Sequence, residues 1–288
     1  MDTIGIIGPG QMGRGIAQVS AQAGYRVLLC GRDRDHARLA KSFIERSLSR
    51  LEERGKIAGA ERLRIAERIE PVAGVTELSA AFIVIEAVPE VEATKVAVLE
   101  SLRGTVKDSI VVSNTSSISI TRLAKSAPVA SRFLGLHFFN PAPVMQLVEL
   151  ICGFNTSLET AALAKEFAHN LGKTVVEVAD SPGFIVNRLL IPLLNEATFA
   201  LSERISTIEE IDSAVQLGLN HPMGPFKLAD FIGLDTCLEI CRTLYEGTGD
   251  QKFRPSLLLV KYVEAGWLGR KTGRGFYDYS TDPPRPTR

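Results

Sequence analysis

Two polar residues, His137 and Glu149, lie in successive apolar segments on either side of a proline-rich turn. His137 ends the first segment and Glu149 lies within the second, so antiparallel pairing of the two predicted strands could bring their side chains together. An imidazole can take up or release a proton near neutral pH, and a neighbouring carboxylate fixes its tautomer and favours its protonated form. A histidine at a strand end is often only structural, so the pair alone leaves both interpretations open.

A second chemical signature opens the chain, where a glycine-rich turn joins a predicted strand to a predicted helix. The turn contains, in order, Gly8, Pro9, Gly10, Gln11, Met12 and Gly13. Gly8 would make the tight turn, Gly10 would let the backbone approach a pyrophosphate, and Gly13 would let the helix pack closely on its strand. A second strand follows and ends at Cys30, so the motif has the context it needs and predicts dinucleotide binding.

The composition limits the class of protein to which these motifs can belong. A chain of 288 residues, 45% hydrophobic and 23% charged, is typical of an enzyme with two domains. The charges balance at 33 against 33, which leaves no basic surplus for nucleic acid, and no apolar run reaches membrane-spanning length. The first strand begins at once, so we expect no signal peptide and a reducing cytoplasm. The four cysteines lack the paired spacing with histidine that zinc sites show, and we expect no metal.

The remaining pattern indicates which elements position these groups. Residues 81–87 and 109–113 are continuous apolar runs, as parallel strands buried on both faces should be. Glu86 lies near the end of the first run and Glu90 just after it, and residues 114–117 follow the second run, at the carboxyl ends where ligands gather. The sequence therefore predicts an α/β fold, with a doubly wound sheet first and an all-α domain after it.

We place the dinucleotide-binding domain at residues 1–183 and a helical substrate and dimerisation domain at residues 184–288. Two predicted helices at about residues 35–67 exceed what one strand crossover needs and form a locally basic arm. Beyond the boundary, residues 187–201 are apolar on most helix faces, which is typical of a helix that is buried or faces a partner subunit. We expect a homodimer formed through this domain.

Six blocks of the chain resemble the short-chain 3-hydroxyacyl-CoA dehydrogenase family, most of all its bacterial hydroxybutyryl-CoA forms. The blocks are Gly8–Gly13, Ser113–Ser117, His137–Met145, Pro182–Arg188, His221–Pro225 and Gly269–Gly273. The likeness runs in order from Ile4 to Tyr279, nearly the whole chain. It implies an N-terminal Rossmann domain and a dimerising helical domain. It also implies reversible oxidation of (S)-3-hydroxybutyryl-CoA or another 3-hydroxyacyl-CoA, with hydride passing to NAD(P), in fatty acid and butanoate metabolism.

The resemblance also assigns site residues. The family's catalytic histidine falls on His137 and its partner carboxylate on Glu149, while the residues that orient the substrate fall on Ser116 and Asn187. Its CoA-binding serine falls on Ser47, and its basic CoA contact falls on Arg54 or Lys56, between which spacing does not decide. The cofactor contacts beyond the glycine turn fall on Glu90, Lys95, Ser116, Asn140 and Lys271.

Two alternatives remain at this point. An L-gulonate 3-dehydrogenase-like enzyme would share the fold and the histidine, but it has no use for a basic CoA-binding arm. A crystallin-like structural protein would share the fold alone, and the set His137, Glu149, Ser116 and Asn187 argues against it.

One position departs from the family pattern. NAD-preferring relatives carry an aspartate where this chain has Gly31, and that carboxylate binds the ribose hydroxyls and repels a 2′-phosphate. Gly31 can do neither, whereas the next residue, Arg32, can form charge-assisted bonds to a phosphate. In the alternative, Arg32 stacks on adenine or points to water and Asp33 takes over the aspartate's role. Because the repulsive group is lost and an attractive one is gained together, we predict that NADP is preferred to NAD.

Overall fold

The computed structural model describes residues 2–287 of the chain. They divide between Phe184 and Ile185 into two compact units, an N-terminal unit and a C-terminal unit. Within the described residues, no helix combines the length and the apolar composition that crossing a membrane requires.

The N-terminal unit is built on one eight-stranded sheet. Its strands are β1 (Thr3–Ile7), β2 (Arg26–Cys30), β3 (Ile69–Val72), β4 (Ile83–Glu86), β5 (Ile110–Ser113), β6 (Phe133–Phe138), β7 (Leu147–Cys152) and β8 (Thr174–Ala179). They lie in the order β3-β2-β1-β4-β5-β6-β7-β8, and the first six run parallel. Strand β7 runs antiparallel to β6, and β8 runs parallel to β7. The strand order reverses between β1 and β4, which is the switch point where doubly wound sheets bind ligands.

Helices cover both faces of this sheet. They are α1 (Gln11–Gln22), α2 (Arg34–Glu53), α3 (Gly59–Glu67), α4 (Glu92–Ser101), α5 (Ile120–Leu123) and α6 (Leu158–Asn170). One apolar core joins the sheet to α1, α2, α3 and α6, and a second joins the opposite face to α4 and α5. Strands β4 and β5 are buried along their whole length, as their continuous apolar sequences predict. The predicted doubly wound α/β architecture is confirmed.

The C-terminal unit is helical. Its elements are α7 (Val186–Ser202), α8 (Ile208–Gly218), α9 (Pro225–Ile232), α10 (Leu234–Thr248), α11 (Leu257–Glu264) and the short paired strands β9 (Tyr277–Asp278) and β10 (Arg285–Pro286). Thr207 and Glu210 form a capping box that satisfies backbone donors at the start of α8. The small strand pair is an addition that the sequence pattern did not indicate.

Two buried carboxylates fasten the last segment of this unit. Asp212 accepts hydrogen bonds from the Phe226 amide and the Tyr277 hydroxyl, at 2.7 and 2.8 Å. Asp230 accepts from the Phe276 and Tyr277 amides, both at 2.9 Å, and from the Tyr279 hydroxyl at 3.1 Å. Burial raises the pKa of Asp230 to about 6, against the opposing effect of these donors.

The raised pKa has a consequence for stability. Since folded Asp230 holds its proton more tightly than the unfolded chain does, its contribution is fully present below the ordinary value of 3.8 and is lost as the pH rises through about 6. We therefore expect the destabilisation caused by Asp230→Asn to be greater at pH 4.5 than at pH 7.5, by about 1–3 kcal/mol. Urea unfolding followed by fluorescence of Trp267, the chain's one tryptophan, measures it in this unit. A cost that stays constant or grows with pH would contradict the assignment, and Glu264→Gln at an exposed ion pair serves as the control.

Candidate active site

The register of β6 and β7 places His137 directly opposite Glu149. Nδ1 of His137 lies 2.6 Å from Oε2 of Glu149, and both side chains are buried. The rings of Phe139 and Phe184 flank the imidazole, with centroids 4.5 and 5.6 Å away. Because the carboxylate engages Nδ1, it fixes the ring orientation and leaves Nε2 as the nitrogen that can exchange a proton with a ligand.

The glycine turn lies at the switch point, and each glycine has a different reason to be there. Gly8 has φ of +98°, and a Cβ on it would come within 2.6 Å of the Ala87 carbonyl oxygen. A Cβ on Gly13 would collide with the Gly8 carbonyl oxygen, whereas one on Gly10 would meet no atom within 4 Å. Helix α1 begins directly after Gly10, which has no side chain with which to cap it. The turn therefore fits a dinucleotide pyrophosphate, which would accept bonds from the first amides of α1.

Asn140, a predicted cofactor contact, lies beside this turn. Its Oδ1 accepts a hydrogen bond of 3.0 Å from Nε2 of Gln11. The segment after Asn140 is fastened by the buried ammonium of Lys173, which donates to the Ala142 and Met145 carbonyls at 2.7 and 2.8 Å. Burial lowers the pKa of Lys173. Sequence analysis did not single out Lys173, since a lysine directly before a strand carries no signal that separates it from a surface lysine.

Glu90 holds the turn that follows β5. Its Oε1 accepts from the Thr115 hydroxyl at 2.6 Å and from the Ser116 and Ser117 amides at 2.8 and 2.9 Å. Burial would raise the pKa of Glu90, but the Lys95 ammonium and these donors outweigh it and hold the pKa below its usual value. The glutamate is thus an ionised acceptor at the carboxyl edge of the sheet, next to the predicted substrate-orienting Ser116.

Lys95 lies deeper than Glu90, Asn140 and Lys271, which are also cofactor contacts predicted outside the glycine turn. Its side chain is 1% exposed, and its ammonium is 2.9 Å from Glu86 Oε1 and 3.3 Å from Glu90 Oε2. Two predicted site residues lie in the C-terminal unit. Asn187 is in the first turn of α7, and the Lys271 ammonium pairs with the Asp235 carboxylate.

The segment after β2 contains Arg32 and Asp33, whose side chains differ in their contacts. Asp33 caps α2, accepting a hydrogen bond of 2.7 Å from the His36 amide, and its other oxygen lies 3.4 Å from Nε of Arg32. The Arg32 side chain is 81% exposed. A Cβ on Gly31 would lie 2.9 Å from the Asp33 carbonyl oxygen, so the segment is shaped around a glycine.

A cavity of about 380 Å³ lies between α1, α2 and the turn after Asn140. Ser47 lines it together with Arg14, Arg50 and Phe43. The Arg14 guanidinium lies over the Phe43 ring, 4.4 Å from its centroid, and the Arg46 guanidinium lies 4.3 Å from the same centroid. The cavity thus combines an apolar ring with cationic groups, as a phosphate-bearing ligand with an apolar tail requires. Arg54 and Lys56, the two predicted basic CoA contacts, are exposed at the end of α2 and are not among the residues that line it.

Comparisons with known proteins agree with this geometry. Residues 3–181 match the family model for the 3-hydroxyacyl-CoA dehydrogenase NAD binding domain, and residues 183–279 match the model for the C-terminal domain. The chain is 48% identical to a 3-hydroxybutyryl-CoA dehydrogenase of Bradyrhizobium diazoefficiens, over 99% of this chain and 98% of the relative. It is 47% identical to a probable 3-hydroxybutyryl-CoA dehydrogenase of Bacillus subtilis, over 95% of this chain and 96% of the relative.

A solved structure matches the fold over nearly the whole chain. The crystal structure of (S)-3-hydroxybutyryl-CoA dehydrogenase PaaH1 from Ralstonia eutropha superposes with a TM-score of 0.95 at 45% identity. The match covers 98% of this chain and all of that one. With both family models matched in order across nearly the whole sequence, the chain belongs to the 3-hydroxyacyl-CoA dehydrogenase family.

Proposed function

We propose that this protein catalyses reversible hydride transfer between (S)-3-hydroxybutyryl-CoA, or another 3-hydroxyacyl-CoA, and a nicotinamide dinucleotide, giving acetoacetyl-CoA or the matching 3-ketoacyl-CoA. The observation that carries this proposal is the buried His137–Glu149 pair, joined at 2.6 Å, on a dinucleotide-binding sheet. The relatives' names favour this function over a sugar-acid dehydrogenase or a crystallin-like protein.

In the oxidative direction Nε2 of His137 takes the proton of the C3 hydroxyl while the C3–H bond gives up its hydride and the C3–O bond becomes a carbonyl. The nicotinamide, when bound, supplies the hydride acceptor. Glu149 favours the imidazolium that forms, and a hydrogen bond from Ser116 orients the C3 oxygen. Reduction reverses each transfer, with His137 returning the proton.

The cofactor and the substrate use adjoining parts of the N-terminal unit, since Gln11 and Asn140 line the cavity beside Ser47. NAD(H) is the cofactor of the family, and the turn Gly8–Gly13 with Glu90 and Asn140 fits it. We further propose that Arg32 shifts the preference to NADP. The cavity beside Ser47 would take the pantetheine of acyl-CoA, with the arginines of α1 and α2 facing its phosphates.

Turnover of acetoacetyl-CoA with reduced nicotinamide, followed at the nicotinamide absorbance, tests the reaction. Oxidation of L-gulonate with oxidised nicotinamide, followed at the same absorbance, distinguishes the sugar-acid alternative. A preparation that binds the dinucleotide but turns over neither substrate would favour the structural alternative and remove the proposal.

A homodimer through the C-terminal unit is the quaternary structure we propose. Leu189 on α7 and Leu217 on α8 are exposed leucines, and an apolar surface of this kind favours association.

Light scattering at micromolar concentration should give twice the chain mass of 31.3 kDa. Leu189→Glu should weaken the dimer about 10-fold or more, since it replaces an apolar contact by a charge. Leu39→Glu, at an exposed leucine of the N-terminal unit, is the control. A stable monomer of the unmodified chain would remove the proposal.

A further inference from the structure

We propose that Ser113, together with the buried Glu86–Lys95 ion pair, positions the turn of residues 115–117 and thereby the Ser116 hydroxyl during catalysis. The inference rests on the proposed function, in which Ser116 orients the C3 oxygen. Ser113 and Glu86 are positioning residues here, because both are fully buried and they act through the turn.

The ion pair is fully enclosed in the N-terminal unit. Glu86 is the last residue of β4 and is 0% exposed, and Lys95 on α4 is 1% exposed. The Lys95 ammonium lies 2.9 and 3.1 Å from the two Glu86 oxygens and 3.3 Å from the Val88 carbonyl oxygen. A buried pair of this kind recovers little more than its desolvation cost, so its presence calls for a reason beyond stability, and fixing one geometry is the best-supported candidate.

Ser113 connects this pair to the turn. It is the last residue of β5 and is fully buried, and its hydroxyl donates a hydrogen bond of 2.6 Å to Glu86 Oε2. The Thr115 amide then donates to the Ser113 hydroxyl oxygen at 3.3 Å. The turn therefore begins from an atom whose position is set by Glu86.

Glu90 holds the far side of the same turn. One of its oxygens lies 3.3 Å from the Lys95 ammonium, and the other accepts from the Ser116 and Ser117 amides. It also accepts from the hydroxyls of Ser116 and Ser117, at 3.2 and 2.9 Å. Lys95 thus links the two supports, Glu86 with Ser113 on one side and Glu90 on the other.

Because misplacing a reacting group by a fraction of an ångström slows a reaction, loosening either support should lower the rate through Ser116. The chain offers a matched control on the same strand segment. Ser109, just before β5, is also buried and donates a 2.6 Å hydrogen bond, to the Ala81 carbonyl, but at the opposite end of the strand.

We expect Ser113→Ala to lower kcat/KM for acetoacetyl-CoA about 3- to 10-fold, part of what a hydrogen bond to a charged group is worth. Ser109→Ala should lower it less than about 2-fold. In a Ser116→Ala background, Ser113→Ala should cost less than about 2-fold further, since coupled residues are not additive. Equal effects of the two serine substitutions, or effects of Ser113→Ala and Ser116→Ala that multiply, would overturn the proposal.

Amide hydrogen exchange separates this proposal from the proposed function. The Ser116 and Ser117 amides should exchange faster in Ser113→Ala than in the unmodified chain and in Ser109→Ala, whether or not acyl-CoA is turned over. If Ser113→Ala does not fold, Ser113→Cys keeps a small side chain but offers Glu86 only a weak S–H donor, and the same outcomes apply. Unchanged exchange at this turn in a folded variant would refute the positioning role even where the dehydrogenase activity is present.

Discussion

Replacing His137 by glutamine should lower kcat about 10²- to 10⁴-fold, the range expected when a general base is removed. Glutamine keeps a polar side chain of similar reach but cannot carry the proton, so the affinity for the dinucleotide should stay nearly unchanged. Steady-state kinetics with acetoacetyl-CoA, and dinucleotide titration followed by fluorescence, measure the two quantities. A variant that keeps more than about half of the unmodified kcat would show that the role assigned here is wrong.

Two further variants sharpen this test. His169→Gln changes a histidine of α6 whose ring contacts the Lys173 carbonyl oxygen, and it should leave kcat unchanged. Glu149→Gln should act more mildly than His137→Gln, because the imidazole remains and only its ionic partner is lost. Losing that carboxylate disfavours the imidazolium, so the acidic limb of the curve of kcat/KM against pH for oxidation should move to lower pH. A limb that moves to higher pH would contradict the assigned partnership.

The sequence was sufficient for the parts of the site that rest on local patterns. A glycine motif between strand and helix predicts its own conformation, because Gly8 adopts a positive φ and a Cβ on Gly13 would collide with the Gly8 carbonyl oxygen. The His137–Glu149 contact was also open to prediction, since two strands joined by a short turn pair with their near neighbours.

The supports of the site were beyond that kind of inference. Lys95 reads as an ordinary lysine on a helix, and only the packing of α4 on the sheet shows that its ammonium is enclosed by Glu86 and Glu90. Lys173 is likewise bonded to the carbonyl of a residue distant in the chain. The same holds for Asp212 and Asp230, which fasten the last segment of the C-terminal unit. Hydrophobic periodicity reports which face of an element is buried, and it says nothing about which polar atoms meet there.

The segment after β2 also changes how the cofactor preference is best tested. Restoring the aspartate at Gly31 would place a Cβ 2.9 Å from the Asp33 carbonyl oxygen, so that substitution would disturb the start of α2 as well as the charge. Asp33 already uses one carboxylate oxygen to cap α2 and holds the other near Arg32. Its commitment to the cap weighs against Asp33 taking over the bonds to the ribose hydroxyls, and it favours Arg32 as the residue that meets the 2′ position.

We therefore expect the unmodified protein to have a lower KM for NADPH than for NADH, and Arg32→Ala to remove that preference. A hydrogen bond to a charged group is worth about 1.5–3 kcal/mol, so the change in the ratio of the two KM values should be about 10- to 150-fold. Because Arg32 is exposed, the substitution should leave the thermal stability and the NADH kinetics almost unchanged. Arg38→Ala, at an exposed arginine in the first turns of α2, should leave the ratio of the KM values as it is. Equal or better kinetics with NADH in the unmodified protein would refute the preference, and since Arg32 has no part in the proton transfer, the assignments of His137 and Glu149 would be unaffected.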